Sequence, residues 1–135
     1  MCVRNFGDDG DDIIMSGDGD DTNFGEEGND IVKGGKGDDR NTENAEGDDT
    51  IMSGQGDDIN SSGNGDDTIK GGQGGDSIGA DDGEDTLNAG QGDDVLSGGG
   101  DSDADKFKCG GGDDTVINYD PSDGDKATGD CEGLE

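Results

Sequence analysis

Large apolar residues are thinly spread along this chain, yet they keep a strict beat. Ile14, Val32, Ile51, Ile69, Leu87 and Phe107 each stand two residues after an aspartate, two nonapeptides apart or slightly more. Between them, in the same place relative to an aspartate, stand Asn23, Asn41, Asn60, Ile78, Leu96 and Val116. Taking the glycine of each Gly-Asp-Asp as a fourth position divides Gly7–Ile117 into twelve nine-residue units, the first GDDGDDIIM and the last CGGGDDTVI. Glu43 is left over as one extra residue, and Gly98-Gly99 as an extra pair. The last three positions alternate out, in, out, the pattern of a short strand whose eighth residue faces the interior. The fourth position is glycine in eleven units and Asp103 in the other, which suits a turn with backbone angles that a side chain would forbid. The pattern predicts short strands separated by tight turns.

The sixth position carries the chemistry. It is aspartate in all twelve units: Asp12, Asp21, Asp30, Asp39, Asp49, Asp58, Asp67, Asp76, Asp85, Asp94, Asp105 and Asp114. A merely acidic, low-complexity stretch would not hold phase in this way. Composition sharpens the point. Of 135 residues, 38 are acidic and 8 basic, for a net charge of −30, and only 22% are hydrophobic. A chain of that make-up is disordered unless something outside the sequence neutralises it. Calcium is a hard cation that takes six to eight oxygens from carboxylates and backbone carbonyls. Glycine-bearing turns with an aspartate at a fixed place offer both.

These residues resemble the RTX, or haemolysin-type, calcium-binding nonapeptide G-G-x-G-x-D-x-U-x, in which U is a large apolar residue. The resemblance covers residues 7–117, with departures at the first two positions of many units and at Asp103. It implies an all-β, right-handed parallel β-roll solenoid of two nonapeptides per coil, about six coils long. In such a roll the first six residues of a unit form a turn, the last three form a strand, and calcium lies between turns of successive coils. Alternate units then stack on the same side, giving one row Asp12–Asp30–Asp49–Asp67–Asp85–Asp105 and another Asp21–Asp39–Asp58–Asp76–Asp94–Asp114. The rows contain ten neighbouring pairs, which implies roughly 8–10 calcium ions. Ten divalent ions would bring the net charge to about −10. The fifth-position acids, such as Asp11, Asp20 and Asp38, are expected to face solvent.

The inward columns differ. One is apolar throughout, whereas the other opens with Asn23, Asn41 and Asn60, and the repeat of Arg4–Gly7 in Thr22–Gly25 adds Asn5. The four read as a stacked amide ladder, with a partly hydrated edge as the alternative. Cys109 and Cys131 flank a segment that leaves the nonapeptide phase, and a disulfide there would staple the last coil to its cap; the alternative is three unpaired thiols. Cys2 is left over at the opposite end. The stretch ADKFKCGGGDDTVINYDPSDGDK resembles the terminal portion of many secreted haemolysin-type repeat proteins, in which Phe107, Val116, Ile117 and Tyr119 would close the open end. The expected layout is a calcium-binding β-roll over 1–117, a capping segment over 118–133, and a cloning remnant at 134–135.

Several function classes are excluded. A chain this acidic repels nucleic acid, and no 18-residue apolar run exists to span a membrane. Without histidine there is no His-based catalytic group, and carboxylates in a repeating array are ligands rather than one poised acid and base. The chain reads as a non-enzymatic, calcium-dependent folding module of a secreted or cell-surface protein, a monomer or a module of a larger chain. The alternative is a structural or adhesive spacer that contacts a mineral or other surface.

Overall fold

The computed structural model describes residues 1–43, 46–100 and 102–134. In chain order the strands are β1 (Arg4–Phe6), β2 (Ile13–Asp18), β3 (Thr22–Phe24), β4 (Ile31–Lys36), β5 (Arg40–Thr42), β6 (Thr50–Gln55), β7 (Ile59–Ser61) and β8 (Thr68–Gln73). They continue as β9 (Ser77–Gly79), β10 (Thr86–Gln91), β11 (Val95–Ser97), β12 (Lys106–Gly111), β13 (Asp114–Ile117), β14 (Lys126–Thr128) and β15 (Cys131–Leu134). Odd-numbered strands form one eight-stranded sheet in chain order, and even-numbered strands form a seven-stranded one. Every pairing is parallel and joins a strand to the next but one. The result is the parallel β-solenoid expected, of about seven coils.

Register sets the core. In the even-numbered sheet Ile14 lies opposite Val32, followed by Ile51, Ile69, Leu87 and Phe107. In the odd-numbered sheet the column runs Asn5, Asn23, Asn41, Asn60, Ile78, Leu96 and Val116. The two columns meet inside the roll, where residues from Val32 to Val116 are almost wholly buried. The asparagines form the ladder: Asn5 Nδ2 donates to Asn23 Oδ1 at 2.8 Å, Asn23 Nδ2 to Asn41 Oδ1 at 2.7 Å, and Asn41 Nδ2 to Asn60 Oδ1 at 2.9 Å. Serines from the facing sheet, which the periodicity did not single out, complete it. Ser16 Oγ donates to Asn23 Oδ1 at 2.6 Å, and Asn41 Nδ2 donates to Ser53 Oγ at 3.1 Å. The ladder ends where Ile78 replaces the next amide, leaving Asn60 Nδ2 buried without an acceptor.

Three features depart from the expected layout. Strands of the even-numbered sheet are mostly six residues long rather than three, because the ladder runs on through the first three positions of the next unit. The two interruptions also fall elsewhere. Glu43 itself occupies a first position, its amide donating to Ser61 O at 2.7 Å as Ala80 does to Ser97 O. The surplus residue therefore lies between Glu43 and Glu46, outside the described residues. Gly98 likewise takes a first position beside Asp105, so the surplus pair belongs within the following turn.

The terminal segment adds one more coil. β14 pairs with β12 and β15 with β13, setting Ala127 opposite Phe107 and Leu134 opposite Val116. Leu134 is thus paired in the sheet, and Glu135 lies outside the described residues. The expected disulfide joins Cys109 to Cys131, with Cα atoms 5.4 Å apart, and Cys2 is an exposed free thiol. Phe107 and Val116 are buried and Tyr119 meets the Phe107 ring edge-on at 6.2 Å, whereas Ile117 faces outward.

Candidate metal centre

A unit turns sharply after its glycine and then enters a strand, and the sixth-position aspartate stands at that junction. Its own amide and carboxylate tie neighbouring coils together. Along one row Asp12 N–H donates to Asp30 Oδ1 at 2.8 Å, Asp30 to Asp49 at 2.7 Å, Asp49 to Asp67 at 2.7 Å, Asp67 to Asp85 at 2.9 Å and Asp85 to Asp105 at 3.0 Å. Along the other, Asp21 donates to Asp39 at 2.8 Å, Asp39 to Asp58 at 2.7 Å, Asp58 to Asp76 at 2.9 Å, Asp76 to Asp94 at 2.7 Å and Asp94 to Asp114 at 2.9 Å. All twelve sequence-derived aspartates therefore stand in the two rows expected of them. Eleven are buried and Asp12, on the first coil, is half-buried.

Each row runs one residue further than the repeat count suggested. Asp105 N–H donates to Asp125 Oδ1 at 3.0 Å, and Asp114 N–H to Glu132 Oε2 at 2.9 Å. Asp125 had a readable signal: Asp125-Lys126 repeats Asp105-Lys106 at the same twenty-residue spacing that separates Asp85 from Asp105. Glu132 had none, since glutamate replaces aspartate.

One oxygen per carboxylate is spent on the neighbouring coil. The other is left over: Oδ2 of Asp21, Asp30, Asp39, Asp58, Asp76, Asp94 and Asp114 is buried with no hydrogen-bond partner. A buried acceptor without a partner carries its full desolvation cost, and a charged one still more. Burial accordingly pushes the Asp58 carboxyl up from the usual 3.8 to about 7 and those of Asp49, Asp76 and Asp94 to about 6; backbone N–H groups oppose the shift and neighbouring carboxylates add to it. The leftover oxygens point at first positions of the turn, which are small. A Cβ on Gly25, Gly34 or Gly71 would run into Oδ2 of Asp30, Asp39 or Asp76. Among the described residues no three acidic or thiol side chains gather into a metal site unaided. Two stacked carboxylates with turn carbonyls make a different donor set, all hard oxygen, and such a set suits calcium.

The fifth-position acids are exposed as expected, yet also ordered. Asp20 Oδ1 accepts from Asp38 N–H at 3.2 Å, Asp38 from Asp57 at 3.0 Å and Asp57 from Gly75 at 2.8 Å.

No curated protein and no solved structure matches the chain. A family model does, the RTX calcium-binding nonapeptide repeat, over residues 6–40, 45–59, 61–96, 71–105 and 79–116. The matched segments cover most of the solenoid and carry the two aspartate rows. The chain belongs to the RTX calcium-binding nonapeptide repeat family.

Proposed function

We propose that this chain is a folding module assembled by calcium, in which the aspartates from Asp12 to Asp114 are the carboxylate ligands. The observation that carries the reading is the leftover oxygen: buried Oδ2 atoms recur coil after coil with nothing to bind. Calcium bound between stacked turns supplies the positive charge that those oxygens lack. The aspartates hold successive coils in register through their other oxygen, and the glycines keep the turns narrow enough for carbonyls to approach. Ten pairs along the rows support roughly 8–10 ions at full occupancy.

Without calcium, the small apolar core and the buried charge leave the chain unfolded. Cytosolic calcium is too scarce to fold it and extracellular calcium is sufficient, which suits a module of a secreted or cell-surface protein; the Cys109–Cys131 disulfide fits an oxidising compartment. A calcium titration followed by circular dichroism and calorimetry tests the reading. The expected result is a cooperative gain of β signal with a midpoint near ~10⁻⁴–10⁻³ M and several ions bound. Full β signal in excess chelator sinks it.

The exposed ranks of fifth-position acids favour a second reading, an adhesive spacer that presents ordered carboxylates to a calcium mineral. Adsorption to calcium carbonate in saturating calcium, lost on replacing Asp38, Asp57 and Asp66 by Asn, would support it. Unchanged adsorption would remove it.

A further inference from the structure

The column of first positions that begins at Gly7 runs Gly7, Gly25, Glu43, Ser62, Ala80 and Gly98. Five of these residues carry at most a methyl or a hydroxymethyl group. The sixth is a glutamate, and it is 0% exposed. Its side chain fits because the coil before it has none at the same level: a Cβ on Gly25 would run into both Glu43 Oε2 and Asp30 Oδ2. Those two oxygens thus face each other across the space of one methyl group.

Asp49, on the coil of Glu43 itself, is the strongest charged neighbour, and Asp30 also acts on it. Neither Glu43 oxygen makes a well-formed hydrogen bond, although the amides of Gly25 and Glu26 lie near. Burial against two carboxylates pushes the Glu43 carboxyl up to about 8. The family pattern does not account for the residue. The match stops at residue 40 and resumes at 45, across the place where the chain carries its surplus residue. A buried glutamate without a partner, facing the leftover Oδ2 of Asp30 and acted on by the Asp49 carboxylate, is unstable as it stands, and a divalent cation would satisfy all three.

We propose that calcium draws Glu43 together with Asp30 and Asp49, which do not gather into a metal site on their own, to form a three-carboxylate site distinct from the two-carboxylate sites along the rest of the rows. Carboxylate count is a principal control of calcium affinity at oxygen sites. This site is therefore the tightest in the chain and loads first, so that the coils on either side build outward from it. The inference rests on the calcium reading above.

Calorimetric titration of the full chain with calcium alone tests it, comparing wild type with Glu43→Gln and Glu43→Gly. Glutamine keeps the size and removes the charge; glycine is the residue at three other levels of the column, so that variant restores the regular repeat. In both variants the tightest calcium class should weaken about tenfold or more, or vanish, with the remaining ions still bound. Unchanged affinity and ion number in both, or tighter binding in either, overturns the assignment and leaves the calcium reading standing. A wild-type chain that takes up no calcium overturns the calcium reading itself.

Discussion

At the scale of single residues, the amide ladder shows how a polar side chain can occupy a core position. Asn41 donates to Asn60 Oδ1 and Ser53 Oγ and accepts from Asn23, so its amide is satisfied without water. Truncating it strands the groups it served. A buried polar group without a partner costs ~1–3 kcal/mol, so Asn41→Ala should destabilise the calcium-loaded fold by about that much. Replacing Asn23, Asn41 and Asn60 together by Ile, Val or Leu is different, because the paired amides vanish as a set. It would still leave Ser53 without its partners, whereas Ser16 loses Asn23 but keeps the bond it accepts from Asn5 Nδ2. The neutral or stabilising variant is thus the triple replacement combined with Ser53→Ala, with Ser16 kept as the acceptor of Asn5 Nδ2. Thermal midpoints in saturating calcium decide it; a single Asn41→Ala variant as stable as wild type would mean the ladder contributes nothing.

At the scale of strands, the even-numbered sheet carries one stacked glycine in every coil. Gly17, Gly35, Gly54, Gly72, Gly90 and Gly110 stack in register through the even-numbered sheet. At Gly72, φ is +129° and a Cβ would strike the carbonyl oxygen of Gly54. Glycine there lets the ladder run past the three-residue strand, whereas the equivalent place on the other side is mixed, with Asp8, Glu26 and Asp81 beside Gly63 and Gly99. Gly72→Ala should therefore destabilise the loaded fold by more than the ~1 kcal/mol of an ordinary glycine substitution. Lys70→Ala, on the exposed face of the same strand, should fall within about 0.5 kcal/mol of wild type. Equal melting of the two variants would contradict the stacked-glycine account. The inward columns and both aspartate rows were legible in the sequence because each depends on a residue type at a fixed phase. Strand length was not, since it depends on what a neighbouring coil permits. Glu43 was misplaced for a related reason: a period search reads a surplus residue as a gap between units, whereas the backbone keeps Glu43 in line with Gly25 and Ser62. Asp125 and Glu132 escaped because their segment lacks the glycine that marks a unit.

At the scale of the whole molecule, charge is sorted by location. Six of the eight basic residues, Lys33, Lys36, Lys70, Lys106, Lys108 and Lys126, lie on strands of the even-numbered sheet, away from the turns. Among the described residues the one ion pair is Lys36 with Asp18, at 3.9 Å and largely exposed. Asp85 and Asp105 aside, no aspartate of the rows is ion-paired with a described side chain, so calcium or protons must neutralise them. The direction of the resulting pH dependence follows from the raised carboxyls. Asp58 is pushed up from 3.8 to about 7, and Asp49, Asp76 and Asp94 to about 6. Between the unfolded and folded values the folded chain binds more protons than the unfolded one, and stability then falls as pH rises. The penalty on the calcium-free fold is absent below about pH 4, grows through the window and is complete above about pH 7. Calcium-depleted protein should accordingly show more β signal at pH 5 than at pH 8, and adding calcium near pH 6 should displace protons from the rows. Circular dichroism after passage over chelating resin measures the first, and calorimetry in buffers of different ionisation enthalpy counts the second. If the calcium-free chain is equally disordered at both pH values and calcium binds without releasing protons, the aspartates are not buried as a proton-loaded array. Their rows would then form only around the metal.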